Sequence, residues 1–302
     1  MAVKDAFNPL FSCAARVCER SPVASNFVRN FAFTGKGRIV ARIRPEAIGP
    51  DIIATCRGVR YRLDLRDHIQ RDLYFNCNPS DELELRRVLH LIPVGGTCID
   101  AGANIGAFAL PFAKRVGDRG MVHAFEPDRA NIVRLAANAA LNGFDHVVTC
   151  HHVAVSNTNG EVSFYRSDSN ESGWGSLVEF KDIAVDRELV RAITLDDFLL
   201  AEKIEKVDLL KVDVEAHEPE LLEGSRRSLA AKVFRFILIE CNGVRLAQRG
   251  KVLDDLLGPI LGAGYSAQFR EDTLHGLRAG DIPFETVCTN FLFAAVGRGR
   301  AQ

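Results

Sequence analysis

Long hydrophobic runs and cysteine motifs are both missing from this sequence. No stretch of 18 or more apolar residues occurs in the 302 residues, and the first twenty lack the continuous apolar segment of a signal peptide. The eight cysteines are scattered and include no C-x-x-C pair. We therefore predict a cytoplasmic protein with reduced thiols, no transmembrane segment and no cysteine-bound zinc.

A net charge of one sign is missing as well, since 38 basic residues face 39 acidic ones. This balance argues against a protein that binds nucleic acid chiefly by neutralising phosphates. The sequence has no internal repeat and no low-complexity segment. With 47% hydrophobic and 25% charged residues, its composition is that of a globular protein with a sizeable core.

The N-terminal part contains several short β-branched runs. Between residues 37 and 66 these are GRIVARI, DIIATC and VRYRLDL, with Gly49-Pro50 and Gly58 as turn signals between them. The pattern predicts a small antiparallel cap. We therefore place an N-terminal extension and β cap at residues 1–80 and a larger domain at residues 81–298.

After residue 92 apolar runs alternate with helical stretches. The runs are GGTCIDAG, MVHAF, HVVTCHHVAV, KVDLLKVDV, RFILIEC and NFLFAAV. After the first run, one helix face is formed by Ile105, Phe108, Ala109, Phe112 and Ala113. Near-continuous apolar strands alternating with helices are typical of a mostly parallel sheet covered on both faces. The predicted fold class is a doubly wound α/β domain.

The first of these strands ends in a glycine turn, at Gly102 and Gly106. In doubly wound sheets the ligand binds beyond the carboxyl ends of the strands, beside the first strand-to-helix turn. Glycines there let a ligand contact the backbone, and a helix starting near Asn104 would direct free N–H groups at an anionic group. The turn predicts a ligand site; a plain helix entry is the alternative.

An acidic residue, Glu126, ends the second strand, 24 positions after Gly102 (126 − 102). Its carboxylate can accept hydrogen bonds from both ribose hydroxyls of a nucleoside, or it could cap the helix that begins near Pro127. Asn104 stands where a dinucleotide motif has its second glycine, so a pyrophosphate would fit poorly. S-adenosylmethionine (SAM) has no phosphate, and it needs only the turn and the acid.

These segments resemble the FkbM family of SAM-dependent methyltransferases. The shared pattern covers about residues 85 to 296, and its most specific parts are DAGANIG and LKVDVEAHE. The resemblance implies a seven-stranded class I methyltransferase fold and methylation of hydroxyl groups on sugars or natural products. The sequence departs from the family at Ala216, where glycine is usual, and at Ala109, where a hydroxyl residue is common.

The resemblance also implies the cofactor contacts. The methionine end of SAM would lie at the glycine turn, the acid after the second strand would bind ribose, and residues near 127 and 153 would flank adenine. The predicted cofactor-binding residues are Asp100, Gly102, Ala103, Asn104, Gly106, Glu126, Pro127, Val153, Ala154 and Asp213.

Titratable side chains follow the strand KVDLLKVDV, where the cleft would open. Methyl transfer needs an acceptor oxygen in line with the sulfonium methyl group and a base to take its proton. The catalytic candidates are Asp213 beside the methyl group, His217 as the natural base, and Glu215 or Glu240 to orient the hydroxyl. Asp213, Glu215 and Glu240 could instead gather Mg²⁺, which makes it a second cofactor prediction after SAM.

Three side chains near this cleft stay open to structural interpretations. Glu218 and Glu220 are interpreted as acids that complement the dipole of the helix they begin. Trp174, the single tryptophan, lies in the polar loop 166–180, and it could stack on a sugar ring or belong to a surface loop.

The sequence thus predicts an O-methyltransferase acting on a hydroxyl of a sugar-containing small molecule, glycolipid or polysaccharide precursor. The expected partner is a small-molecule or glycan acceptor, and no nucleic acid. One rival is a non-catalytic SAM-binding or structural partner protein, because a fold alone does not prove activity. The other is a methyltransferase acting on nitrogen or protein.

Overall fold

The structure is a computed structural model, and it describes residues 14–17, 51–77, 79–167, 175–179 and 185–296. The predicted strand GRIVARI and Trp174 lie outside these residues. The described chain forms two compact units that divide between Leu83 and Glu84. The assignment of domains at residues 80 and 81 stays a prediction. No helix in the described ranges is long and apolar enough to span a bilayer.

The first unit contains a β-hairpin followed by a helix. Strands β1 (Ile52–Cys56) and β2 (Val59–Leu63) pair antiparallel, as the sequence predicts. Arg57 and Gly58 connect them with φ values of 52° and 73°. Two left-handed residues in succession are what a two-residue hairpin turn requires. Helix α1 (His68–Asn76) follows.

Cys56 and Cys77 form a disulfide in this unit, with their Cα atoms 5.6 Å apart. The bridge joins the end of β1 to the residue after α1. The expectation of uniformly reduced thiols is wrong for this pair, because folding brings together two cysteines 21 residues apart that match no spacing motif. In the described ranges, the cysteines outside this disulfide are Cys98, Cys150, Cys241 and Cys288.

The second unit is built from a large sheet, a small sheet and helices. Its strands are β3 (Thr97–Ala101), β4 (Met121–Phe125), β5 (Val148–His151), β6 (Ala154–Val155), β7 (Gly160–Ser167), β8 (Val185–Ile193), β9 (Val207–Val212), β10 (Phe234–Asn242), β11 (Tyr265–Phe269) and β12 (Cys288–Ala295). The α-helices after α1 are α2 (Pro79–Leu91), which begins in the first unit, α3 (Ala109–Val116), α4 (Arg129–Asn142), α5 (Leu195–Ala201), α6 (Glu218–Glu223), α7 (Arg226–Ala230), α8 (Gly243–Gln248), α9 (Leu253–Gly262) and α10 (Glu271–Ala279). A short 3₁₀ helix (Phe284–Thr286) precedes β12.

The large sheet has seven strands in the order β11-β12-β10-β9-β3-β4-β5. Strands β10, β9, β3, β4 and β5 are parallel, and β12 runs antiparallel to β10 and β11. Every residue of β9 is buried, as expected for a strand covered on both faces. The chain leaves β3 toward β4 on one side and returns to β9 on the other, so the strand order reverses between β3 and β9. The predicted doubly wound fold is confirmed.

Helices cover both faces of this sheet. Leu210 and Val212 of β9 belong to a core that includes residues of α5, α6 and α9. Lys211 lies between them and points to the opposite face, because side chains alternate along a strand. Its ammonium nitrogen is 5.2 Å from the centre of the Phe108 ring, which directly precedes α3. Helix α3 therefore covers the face opposite that core.

The run HVVTCHHVAV is two strands rather than one. Strand β5 belongs to the large sheet, whereas β6 pairs in parallel with β8 in a small sheet of order β6-β8-β7. Between them the N–H of Val153 donates to the carbonyl oxygen of His151 at 2.9 Å. Such a tight local bond turns the chain and ends the first strand.

Candidate functional site

The carboxyl ends of β4, β3, β9 and β10 are neighbours at one edge of the large sheet. Gly102 follows β3, Glu126 follows β4 and Asp213 follows β9. Glu240 lies level with Asp213, because the residues that precede them are partners in the register of β9 and β10. The sheet therefore places residues from four separated segments of the sequence side by side.

Gly102 lies where no side chain would fit. Its φ is +81°, and a Cβ atom at this position would be 1.7 Å from the carbonyl oxygen of Asp213. The N–H groups of Gly102 and Ala103 donate to the carbonyl oxygen of Phe125 at 3.0 and 2.9 Å. The glycine turn is thereby held between the ends of β4 and β9.

Asn104 and Gly106 delay the helix that follows this turn. Their φ values are 48° and 100°, which a right-handed helix does not adopt. Helix α3 begins only at Ala109, so the expectation of a helix start near Asn104 is wrong. The N–H groups of the turn also have acceptors within the protein. That of Ile105 donates to Oδ1 of Asn104, and that of Gly106 to the carbonyl of Ala103.

Glu126 joins the glycine turn to the start of α4. Its Oε2 accepts from the N–H of Asn104 at 2.8 Å, and its Oε1 accepts from the N–H of Asp128 at 2.9 Å. Asp128, not Glu126, caps α4, since its side chain accepts from the first N–H groups of that helix. Burial raises the pKa of Glu126 to about 7, although these two hydrogen bonds oppose the shift. The side chain of Asn131 also donates to Glu126, and the hydroxyl groups of a ribose would be further donors to the same carboxylate.

The predicted adenine contacts lie beside this acid. A ring nitrogen of His152 is 3.0 Å from the carbonyl oxygen of Pro127. Val153 follows His152 and is half-buried, and Ala154 is buried in β6. The segment that leads into Val153 therefore runs beside Pro127. Contact of these residues with adenine stays a prediction.

Lys211 is a charged residue of the site that sequence reasoning missed. It is buried, and its ammonium nitrogen lies 3.1 Å from Oδ2 of Asp213, 3.5 Å from Oδ1 of Asp100 and 3.2 Å from the carbonyl oxygen of Gly102. Asp100 is fully buried under the turn, and burial raises its pKa to about 6 against the attraction of Lys211. A lysine inside the apolar run LLKVDV was the available signal, since lysine is rarely buried without a partner.

The loop after Asp213 has a strained backbone. Glu215 and Ala216 have φ values of 53° and 67°, and each left-handed residue of this kind costs about 1–2 kcal/mol. Oε1 of Glu218 accepts from the N–H groups of Val214 and Ala216 at 3.0 and 3.2 Å. Glu218 thus closes the loop with its side chain, beyond complementing the dipole of α6.

Two side chains from distant segments also hold this loop. The hydroxyl of Ser176 donates to the carbonyl of Glu215 at 2.7 Å, and the guanidinium of Arg249 donates to the carbonyl of Ala216. Ser176 belongs to the described part of the polar loop 166–180. That loop therefore contacts the predicted catalytic segment through Ser176. The composition of the loop did not predict this contact.

Carboxyl groups crowd around Asp213. Burial, with Asp213 and Glu218 nearby, raises the pKa of Glu215 to about 8. Burial also raises the pKa of Glu218 to about 7 and that of Glu240 well above its usual range. Glu240 lies directly opposite Asn290 in the pairing of β10 with β12. The cluster thus favours bound protons or a bound cation at neutral pH.

His217 has a partner away from these acids. Its Nε2 lies 2.9 Å from Oγ of Ser156, and its Nδ1 lies 3.6 Å from Oε2 of Glu220. Burial lowers the pKa of His217 to about 4. The carboxylate of Glu220 forms an ion pair with Arg249 at 2.8 Å. Burial tends to raise the pKa of Glu220, but hydrogen bonds from Arg249 and Lys251 lower it to about 2. His217 is therefore neutral and a weak base at neutral pH, and its predicted role as general base is untested.

Residues 100–267, more than half of the chain, match the family model described as "Methyltransferase FkbM domain". AMB antimetabolite synthetase AmbE of Pseudomonas aeruginosa is 30% identical over 224 residues, which cover 61% of this chain and 10% of that protein. Hexuronic acid methyltransferase AglP of Haloferax volcanii is 27% identical over 141 residues, which cover 47% of this chain and 54% of that protein. The chain thus spans about a tenth and about half of these two relatives.

Among solved structures, the fibrillarin pre-rRNA processing protein of Methanococcus jannaschii is similar, with a TM-score of 0.43 and 13% identity. The match covers 82% of this chain and 84% of that one. A likeness at this level carries no argument about activity or substrate.

Proposed function

The chain belongs to the FkbM methyltransferase family. From that premise we propose that it transfers the methyl group of SAM to a hydroxyl group. The hydroxyl would belong to a sugar-containing small molecule, glycolipid or polysaccharide precursor. One observation carries this proposal. Glu126 and the glycine turn are hydrogen-bonded to each other at the edge where the strand order reverses. That is where a nucleoside binds in a doubly wound sheet.

The turn favours SAM over a dinucleotide. Pyrophosphate needs free N–H groups at such a turn. Here the N–H groups of residues 102–106 all donate to acceptors within the protein. SAM has no phosphate, and its sulfonium is positive, which suits an edge rich in carboxylates. Glu126 would accept the ribose hydroxyls, and the turn would contact the methionine end.

We propose that Glu215 is the general base that takes the proton of the acceptor hydroxyl. An efficient general base has a pKa near the working pH, and that of Glu215 is about 8 while that of His217 is about 4. Asp213 would border the methyl group and Glu240 would orient the hydroxyl. The reaction forms an ether bond, breaks the bond between methyl and sulfur, and releases S-adenosylhomocysteine and a proton. Alignment of the hydroxyl with that bond supplies most of the rate.

A sugar hydroxyl is the acceptor we infer. The relative AglP is a hexuronic acid methyltransferase by name, and this supports a sugar acceptor here. A small-molecule or glycan partner without nucleic acid, and a cytoplasmic location, remain predictions. Methyl transfer from a sulfonium does not itself require Mg²⁺, so the predicted ion is a separate question from the methyl donor.

Calorimetry and a turnover assay test the proposal together. We expect SAM and S-adenosylhomocysteine to bind the purified full chain, and S-adenosylhomocysteine to be released with some members of a panel of glycosides. Each active glycoside is paired with its deoxy analogue, which should be inactive. Glu215→Gln should lower kcat while the affinity for SAM stays unchanged.

The other outcomes separate the rivals. SAM binding without turnover on any acceptor would favour a SAM-binding partner protein. Turnover only with amines or proteins would favour a methyltransferase of another class. Absence of SAM binding would refute the proposal.

A further inference from the structure

Three carboxylates meet at the sheet edge beside the predicted methyl acceptor. Asp213, Glu218 and Glu240 each offer one oxygen, and these oxygens all lie within 4.8 Å of one another. They come from the end of β9, the start of α6 and the end of β10. Acidic clusters are common on protein surfaces, so their proximity alone does not define a site.

The second observation is that two of these side chains carry buried oxygens without a donor. Glu218 is fully buried, and only its Oε1 accepts the loop N–H groups. Within the described part of the chain, no hydrogen-bond donor reaches Oε2 of Glu218 or Oε2 of Glu240, and both atoms are shielded from solvent. A carboxylate oxygen in this condition requires a positive charge or a proton.

The buried lysine nearby donates to neither of these two oxygens. Lys211 is shared among Asp213, Asp100 and the carbonyl of Gly102. Its contact with Asp213 is through Oδ2.

From this arrangement we infer that Asp213, Glu218 and Glu240 bind one hard divalent cation such as Mg²⁺, Mn²⁺ or Ca²⁺. Oxygens on opposite sides of such an ion are about 4.6–5.2 Å apart for Ca²⁺ and about 4.0–4.2 Å apart for Mg²⁺. The 4.8 Å limit on the three oxygens therefore matches Ca²⁺ as they stand, and around Mg²⁺ oxygens at that limit would have to move closer together. The donor set differs from the one expected from sequence, because Glu218 takes the place of Glu215. The inference rests on the proposed function only for the role of the ion, which is to bind the acceptor hydroxyl and make it more acidic.

The test is a titration of the full chain with Mn²⁺ at pH 8, without SAM or acceptor, in which free Mn²⁺ is measured by electron paramagnetic resonance. We expect one Mn²⁺ per chain, displaced by excess Mg²⁺ or Ca²⁺. Glu240→Gln should weaken binding by about tenfold or more. The matched control is Glu205→Gln, which changes an exposed glutamate and should leave binding unchanged.

Several outcomes overturn the inference. These are no Mn²⁺ binding up to several millimolar, or binding that Glu240→Gln leaves intact. If Glu240→Gln fails to fold, Asp213→Asn takes its place with the same expectation. Calorimetry with SAM separates the two claims. A chain that binds SAM but no Mn²⁺ refutes the cation site and leaves the proposed function standing, and a chain that binds Mn²⁺ but no SAM does the reverse.

Discussion

If Glu126 binds the ribose of SAM as a carboxylate, the affinity for SAM should rise with pH. Burial raises the pKa of Glu126 to about 7, so the free protein holds this group mostly protonated at pH 6 and mostly ionised at pH 8. The ionised fraction rises from about 0.09 to about 0.91 between these values, and the apparent affinity should rise about tenfold with it. Above pH 8 the affinity should level off.

Glu126→Gln should remove this dependence and weaken binding. Losing the charge from hydrogen bonds with two hydroxyls costs about 2 kcal/mol or more, which is about 30-fold in Kd at pH 8. Calorimetry at pH 6, 7 and 8 measures both effects. The control is Glu161→Gln, at an exposed position in β7, which should keep the full pH dependence.

The free energy of unfolding, measured over the same pH range, distinguishes a change in SAM affinity from unfolding of the protein. A buried acid with a pKa of about 7 binds a proton in the native state that the unfolded state has released above pH 4.5. The free energy of unfolding therefore falls by up to about 3 kcal/mol as the pH rises from 4.5 to about 7. Glu126→Gln removes this pH-dependent loss of stability. It also replaces one carboxylate oxygen by an amide NH₂ group, which cannot accept from the N–H of Asn104 or Asp128. At pH 8 these two effects on the free energy of unfolding have opposite signs. Equal SAM affinity at pH 6 and 8, or wild-type affinity in Glu126→Gln, would refute the reasoning.

Three further variants and one control test the turn, the buried lysine and His217. Gly102→Ala should cost about 3 kcal/mol of unfolding free energy by urea denaturation and abolish SAM binding, because its Cβ would overlap the carbonyl of Asp213. Gly143→Ala, with a similar φ of 71° and open space around it, should cost about 1 kcal/mol. Lys211→Met should cost about 3 kcal/mol, since it leaves the buried carboxylate of Asp100 unpaired, and an unchanged urea midpoint would contradict the ion pairs. His217→Gln should reduce the fall in melting temperature between pH 6.5 and 4. In this range the unfolded state protonates His217, whereas the native state, in which its pKa is about 4, keeps it neutral, so the wild-type protein loses stability as the pH falls. An equal fall in both proteins would exclude His217 as its source.

The fold could be predicted because its determinants are local and repeated. Apolar strand runs, helical spacing and the cap at Asn142-Gly143 are all visible within a few residues. The same holds for Gly102, whose turn follows directly from a buried strand. The split of HVVTCHHVAV could not be predicted, because an apolar run does not tell which of two sheets each half joins.

Much of the site depends on contacts between distant segments, which a sequence pattern does not show. Glu126 was expected from its place after a strand, but its two N–H donors were not. Lys211 was visible as an anomaly in an apolar strand, although two of its three partners, Asp100 and Gly102, come from the distant end of β3. His217 had the ordinary pKa of a base, and only burial beside Ser156 removes that property.

Ala216 shows how a departure from the family pattern can be absorbed. Glycine is the expected residue at a φ of 67°, and alanine there costs about 1–2 kcal/mol. The methyl group is fully buried in the core, which returns about 0.8 kcal/mol. Hydrogen bonds from Ser176 and Arg249, 39 and 33 residues away from the carbonyls they bind, hold the backbone in this conformation. The loop keeps its left-handed conformation with alanine at position 216. Ala216 is therefore no argument for the rival hypothesis of a non-catalytic SAM-binding protein.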